Sequence, residues 1–251
     1  MEKAEDAAED IILKVPNAEI IVKHLDLSSL QSVRTFAYEV VNEVPYIDIL
    51  INNAGVAMCP QMKTSDGFEM QFGTNHLGHF LLTLLLIDHL KRSPGNDPSR
   101  IINLSSLGHI MGHMNFDDLN MTSNYTPFGA YAQSKLANVL FTRELSKRLK
   151  DTSVKVYAVH PGIINTELMR HLTGILAFTV NLAKNVFLIN STLGTQTTLY
   201  CSLEESLSNE TGYYYADCKR VPENSLIRNA RDDVSAKRLW DISCKLTQIN
   251  A

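Results

Sequence analysis

The sequence predicts an α/β fold: a doubly wound parallel sheet. Short runs rich in Ile and Val alternate with longer helical segments, the pattern of strands joined through crossover helices. The residues able to do chemistry gather directly after those runs, at Asn52-Asn53-Ala54-Gly55, Ser105-Ser106 and His160-Pro161-Gly162. Sheets of this kind hold ligands beyond the carboxyl ends of their strands. At 251 residues, 45% of them apolar, the chain is long enough to bury one sizeable core and reads as a single domain over 1–251.

The elements follow in order. Residues 2–14 form an amphipathic helix, acidic at its start, with Ala4, Ala8, Ile11 and Ile12 near helical spacing. Pro16-Asn17 stops it, and the Ile- and Val-rich run 19–24 is expected to be a strand. Ser28-Ser29 offers an N-cap for a helix through about residue 43. A strand at 47–51 leads to a mostly helical stretch at 65–91, with 81–86 buried all round, and a loop at 94–98. Residues 100–104 are a strand, 108–127 a polar excursion, 130–150 a helix and 154–159 a strand. A lipophilic, helical insertion is expected at 166–190, then a helix at 192–202, a strand at 212–215 and a mainly helical end at 225–247 carrying the only Trp, Trp240.

Composition removes several classes. With 23 basic and 27 acidic residues the net charge is −4, so nothing electrostatic argues for a nucleic-acid binder. Cys59, Cys201, Cys218 and Cys244 contain no C-x-x-C, which speaks against a disulfide scaffold or zinc knuckle and for a reducing compartment. His76 and His79, and His109 and His113, lack the Glu of H-E-x-x-H, so no metal is expected. The opening Met-Glu-Lys-Ala-Glu-Asp has no apolar h-region, so neither a signal peptide nor an N-terminal membrane anchor is expected. The most apolar stretch, 172–189, is at the lower edge of a membrane span and is interrupted by Asn181, Lys184 and Asn185.

The chemistry centres on Tyr131 and Lys135. Four apart on one helix, a phenol and an ammonium share a face. A nearby Lys⁺ is expected to lower the phenol pKa from its usual value near 10, so that the pair passes a proton to or from a carbonyl or alcohol oxygen. Taken alone, Y-x-x-x-K fits a surface helix pair equally well.

Five motifs in order narrow this: Asn52-Asn53-Ala54-Gly55; Asn75-His76-Leu77-Gly78-His79-Phe80; Asn103-Leu104-Ser105-Ser106; Tyr131-x-x-x-Lys135; and His160-Pro161-Gly162. Together they resemble the short-chain dehydrogenase/reductase family, whose fold is Rossmann-type. The longer runs at 50–56, 75–83 and 134–142, with Arg238-Leu239-Trp240-Asp241, resemble its retinol-dehydrogenase-like branch. The resemblance implies an oxidoreductase that moves a hydride between NADP(H), with NAD left open, and a lipophilic alcohol or carbonyl such as a retinoid or lipid aldehyde. Tyr131 is then the general acid/base, Lys135 its electrostatic partner and a ribose contact, and Ser106 the hydroxyl that orients the substrate oxygen. Ser105 is expected to make a strand-end hydrogen bond. Asn75 matches the helix Asn of the proton relay, or is a buried amide satisfying backbone groups. On the cofactor side, Asn52, Ala54 and Gly55 match the segment along the dinucleotide. Asp26 and Leu27 match the pair at the adenine, although a turn or cap suits Asp26 nearly as well. Pro161, Gly162 and Thr166 match the stretch beside the nicotinamide and pyrophosphate. His160 is expected to be structural.

One family feature has no counterpart: no T-G-x-x-x-G-x-G run occurs anywhere in the chain. That turn supplies backbone N–H groups to a pyrophosphate. The fold is therefore expected to be N-terminally truncated, lacking the first strand, Gly-rich turn, first helix and second strand. The strand at 19–24 would then lose its neighbours, and the one at 47–51 would show an unpaired edge. The alternative function is a catalytically silent, truncated relative acting as a binding or regulatory protein. The apolar run at 172–180 falls where the family has its substrate lid; core packing and shallow membrane contact are the other readings. An intracellular location, cytoplasmic or on an internal membrane, peripheral membrane contact and a homo-oligomer all accord with the resemblance.

Overall fold

A computed structural model describes residues 1–94, 97–162 and 194–250. The expected insertion at 166–190, its apolar run at 172–180 and Thr166 lie outside the described residues.

Five strands form one sheet in the order β1 (Ile49–Asn52), β2 (Arg100–Leu104), β3 (Lys155–His160), β4 (Tyr213–Ala216) and β5 (Lys219–Arg220). The first four run parallel, and β5 returns antiparallel. Registers such as Asn52↔Asn103↔Ala158↔Tyr214 bring the strand ends level. β2 is buried along its whole length, consistent with a parallel strand covered on both faces. The two-residue β5 was not expected. It forms because Asp217 and Cys218 both take positive φ, 50° and 55°, in a tight hairpin turn without the usual glycine.

Helix α1 (Glu2–Lys14) precedes α2 (Leu30–Glu43), whose N-cap Ser29 accepts from the Ser32 amide at 3.3 Å. A continuous helical run holds α3 (Met70–Phe72), a π-helical turn (Gly73–Gly78) and α4 (His79–Lys91). Its expected start at 65 is corrected to 70. Glu69 caps α3 through the amides of Gln71 and Phe72, so 65–69 forms the turn before it. α5 (Pro127–Arg148) begins at the Thr126 cap with Pro127 in its first turn. α6 (Gln196–Leu203) and α7 (Asp233–Thr247) follow. The helix expected from 225 starts at Asp233, because Asp232 caps the Val234 amide there and short 3₁₀ turns occupy the approach.

Strand alternation sorts the core into two faces. Ile101, Val156, Ala158 and Tyr214 pack toward α4, α5 and α7, with Leu77, Phe80, Leu136, Leu140, Phe141 and Trp240. Ile102, Leu104, Tyr157, Val159 and Tyr215 pack on the other face with Cys201 of α6. α2 packs on α4 through Val33, Ala37, Leu81 and Leu86.

The strand expected at 19–24 does not form. A β-prone run becomes a strand only against a partner, and the side of β1 away from β2 carries no strand among the described residues. Lys23 instead pairs with Glu39 and Glu43 of α2. The unpaired β1 edge is as expected, and its Ile49 and Ile51 are exposed.

Candidate active site

A buried polar ladder fixes the sheet under the site. Asn52 Nδ2 donates to Thr83 Oγ1 (2.9 Å) and to Asn103 Oδ1 (2.8 Å), and Asn103 Nδ2 donates to Thr142 Oγ1 (2.9 Å). The ladder ties α4, β1, β2 and α5 together just below the carboxyl ends. Buried side-chain networks of this kind hold one arrangement because breaking any member strands the rest.

Above it, α5 carries Tyr131 and Lys135. Lys135 is buried, with Nζ 5.7 Å from the centre of the Tyr131 ring. Nζ donates to the Leu104 carbonyl at 3.1 Å, beside Asn138 Nδ2 at 3.0 Å. Ser105 Oγ donates to the Lys135 carbonyl at 2.8 Å, the strand-end bond expected of it. Ser106 leaves β2 extended and turns its Oγ toward the Gly108 amide, 3.1 Å away.

The electrostatics differ from the expected lowering of the Tyr131 phenol. Burial pushes that phenol up, and the nearby Ser106 hydroxyl opposes the rise. Burial also pushes Lys135 down to about 8. The ammonium stands over the ring and bonds to Leu104, so it does not dominate the phenol. The result is a phenol that stays protonated at neutral pH and can act as an acid.

Asn75 sits in the π-helical turn, a distortion often found at functional sites. Its Oδ1 accepts from the Val56 amide at 2.8 Å, and its Nδ2 donates to the Val56 carbonyl and to Ser134 Oγ, both at 2.9 Å. Ser134 in turn donates to the Tyr131 carbonyl at 2.8 Å. The amide thus clamps the 52–56 segment to the helix of Tyr131. Gly55 lies under this clamp: a Cβ there would sit 2.8 Å from Asn75 Oδ1 and 3.8 Å from Lys135 Nζ. His79 Nδ1 donates to the Asn75 carbonyl at 3.0 Å. Burial lowers His79 to about 4 and His76 to about 3, so both rings are neutral.

The cofactor-side residues line the same edge. Ala54 is exposed and Gly55 half-buried after β1; Pro161 and Gly162, the latter with φ +86°, follow β3. Asp26 is exposed, and its Oδ1 accepts from the Ser28 amide (2.8 Å) and hydroxyl (2.7 Å), the turn role weighed for it. Leu27 is buried, its carbonyl where a Cβ on Gly78 would fall, so it joins the loop to the π-helical turn. A dinucleotide fits this edge on one further observation. The Lys135 ammonium has three N–H donors and spends one on Leu104, leaving two for the hydroxyls of a ribose.

The sequence reading missed three contributors. Gly108 packs on Tyr131, where a Cβ would lie 3.2 Å from ring Cε1. His109 holds the Ser106 carbonyl through Nδ1 at 2.7 Å. The Leu104 carbonyl receives both Lys135 and Asn138. The only signal for the first two was their place directly after Ser105-Ser106.

Comparison with known proteins identifies the family. The short chain dehydrogenase family model covers residues 1–174. Retinol dehydrogenase 12 of Mus musculus is 47% identical over 247 residues, 98% of this chain and 76% of the relative. Retinol dehydrogenase 13 of Homo sapiens is 49% identical over 260 residues, 100% of this chain and 76% of the relative. A crystal structure of an uncharacterized protein from Mycobacterium paratuberculosis superimposes with a TM-score of 0.72 at 36% identity, covering 93% of this chain and 77% of that one. NADPH-bound carbonyl reductase from chicken fatty liver shares the fold, with a TM-score of 0.57 at 21% identity over 83% of this chain and 78% of that one. The chain belongs to the short-chain dehydrogenase/reductase family of oxidoreductases, in its retinol-dehydrogenase-like group.

Proposed function

We propose that the chain, as one catalytic domain, reduces a lipophilic carbonyl such as a retinoid or lipid aldehyde with NADPH. Enzymes of this family use NAD(P), and NADP is our choice for this branch. The observation that carries the reading is the gathering of the Ser106 hydroxyl and the Tyr131 ring around Gly108 at the carboxyl end of β2, with buried Lys135 beneath. When bound, the dinucleotide supplies the hydride.

The chain's own residues do the rest. The Ser106 hydroxyl donates to the substrate oxygen and orients it. The Tyr131 phenol, held protonated by burial, gives its proton to that oxygen as negative charge develops there. Lys135 steadies the phenolate left behind and holds the ribose with its two remaining N–H groups. Asn75, whose side chain is consumed by Val56 and Ser134, keeps the cofactor segment and the Tyr131 helix in register. Ala54, Gly55, Pro161 and Gly162 line the dinucleotide, Asn52 braces the sheet beneath it, and Asp26 and Leu27 stand at its adenine end.

The apolar run at 172–180 supports a lipophilic substrate. No disulfide forms among the described residues, and no helix among them is long and apolar enough to cross a membrane. The test is NADPH consumption with a panel of retinoid and lipid aldehydes. We expect aldehyde-dependent oxidation of NADPH. Absence of turnover with every aldehyde, with either nicotinamide dinucleotide, would refute the reading.

A further inference from the structure

Three buried polar atoms behind Ser106 have no hydrogen-bond partner among the described residues: His109 Nε2, His160 Nδ1 and the Tyr214 hydroxyl. Their residues are only 1%, 6% and 3% exposed. Buried polar groups are rarely left unpaired, and ordered water satisfies such sets with about three hydrogen bonds.

Two of the three rings are in contact, and the third leaves the same face of the sheet. The His109 and Tyr214 rings pack tilted, with centroids 4.7 Å apart at 56°. His160 pairs in register with Ala216, so Tyr214, two residues earlier, points from the same face of the sheet.

His109 has a defined tautomer. The Ser106 carbonyl only accepts, so His109 Nδ1, 2.7 Å away, carries the proton and Nε2 is an acceptor. Burial disfavours the charged ring. A water donating to His109 Nε2 and His160 Nδ1, and accepting from the Tyr214 hydroxyl, would complete all three.

We propose that His109 is a positioning residue, which fixes Ser106 through Nδ1–H and is itself oriented by a buried water shared with Tyr214 and His160. The inference rests on the reading of Ser106 as the hydroxyl that orients the substrate.

Two measurements test it. Long-range ¹H–¹⁵N NMR of the wild-type protein reads the tautomer without turnover: Nδ1–H is expected for His109, and Nε2–H would overturn the inference. Kinetics then use three variants. His109→Asn keeps a donor near the Nδ1 position, His109→Gln places its amide near Nε2, and His109→Phe keeps neither. We expect kcat to fall about tenfold in the Phe and Gln variants and to stay within about threefold in Asn, with KM for NADPH unchanged. Equal losses in Asn and Phe, or none in either, would overturn the inference. Tyr214→Phe leaves Ser106 untouched and is expected to shift the His109 Nε2 resonance while Nδ1 stays protonated; an unmoved resonance would remove the shared water. Should wild type turn over no aldehyde, the functional reading fails, and the tautomer and the Tyr214→Phe shift still decide the geometry of His109.

Discussion

Replacing Gly55 by Ala tests the clamp that joins the 52–56 segment to α5, the helix of Tyr131. The new Cβ would lie 2.8 Å from Asn75 Oδ1, against about 3.4 Å for ordinary contact, so the amide must retreat by roughly 0.6 Å. A loosely held side chain would yield at little cost. Asn75 is held by three hydrogen bonds of 2.8, 2.9 and 2.9 Å, and its retreat stretches all of them. At about 1 kcal/mol net for each bond, the expected loss is about 1–3 kcal/mol. Urea unfolding of wild type, Gly55→Ala, Asn75→Ala and the double variant forms a cycle that isolates the contact. Asn75→Ala removes the same bonds and makes room for the methyl, so the double variant should be no less stable than Asn75→Ala alone. A Gly55→Ala midpoint equal to wild type, or losses that simply add, would refute the reasoning.

Other expectations concern the buried titratable groups and the ladder. Lys135, lowered from 10.5 to about 8, has its charged form destabilised by folding, so wild-type stability should rise with pH between about 8 and 10.5. Lys135→Met should raise stability at pH 7 by up to about 3 kcal/mol while abolishing turnover; a lowered urea midpoint contradicts this. Deprotonation of the same group predicts that carbonyl reduction declines as pH rises through about 8, and a flat profile to pH 10 would count against its role. His76 and His79, lowered from 6.5 to about 3 and about 4, bind protons more readily unfolded than folded. Stability should therefore fall as pH drops from 6.5 toward 4, by about 1.4 kcal/mol per unit for each ring, and urea midpoints across that range check the slope. Asn103→Leu should cost about 2–4 kcal/mol by stranding Asn52 and Thr142, and thermal unfolding would show it.

Much of the fold was legible because its signals are local. The Arg100–Leu104 strand matches its apolar run to the residue, since every position is buried and no neighbour alters the choice. The Ser29 cap follows from side-chain chemistry within one turn, whereas α5 starts at Pro127 rather than at the expected 130, because Thr126 caps it there. Where pairing is non-local the reading failed. The run 19–24 has strand-forming residues but no strand beside it, and β5 exists only through a hairpin whose turn residues, Asp217 and Cys218, are not the usual glycine pair. The π-helical turn at Gly73–Gly78 leaves the hydrophobic pattern of the helix intact and so gave no warning.

The order of motifs singled out Ser106, Tyr131, Lys135 and Asn75, and the structure brings their helices and strand end together. The electrostatic expectation for Tyr131 was harder. Charge proximity is visible in an i, i+4 spacing, whereas burial of both groups is a property of the assembled sheet, and burial dominates. The placement of His109 beside Ser106 was illegible for the same reason, because Tyr214, which packs on its ring, comes from a strand roughly 100 residues away.

The central claim is that the Tyr131 phenol delivers the proton. Turnover of a lipid aldehyde by wild type and Tyr131→Phe, with NADPH binding titrated on the same preparations, tests it most directly. The account predicts that the variant binds NADPH as wild type does and turns over no aldehyde; turnover at the wild-type rate without the phenol would contradict it.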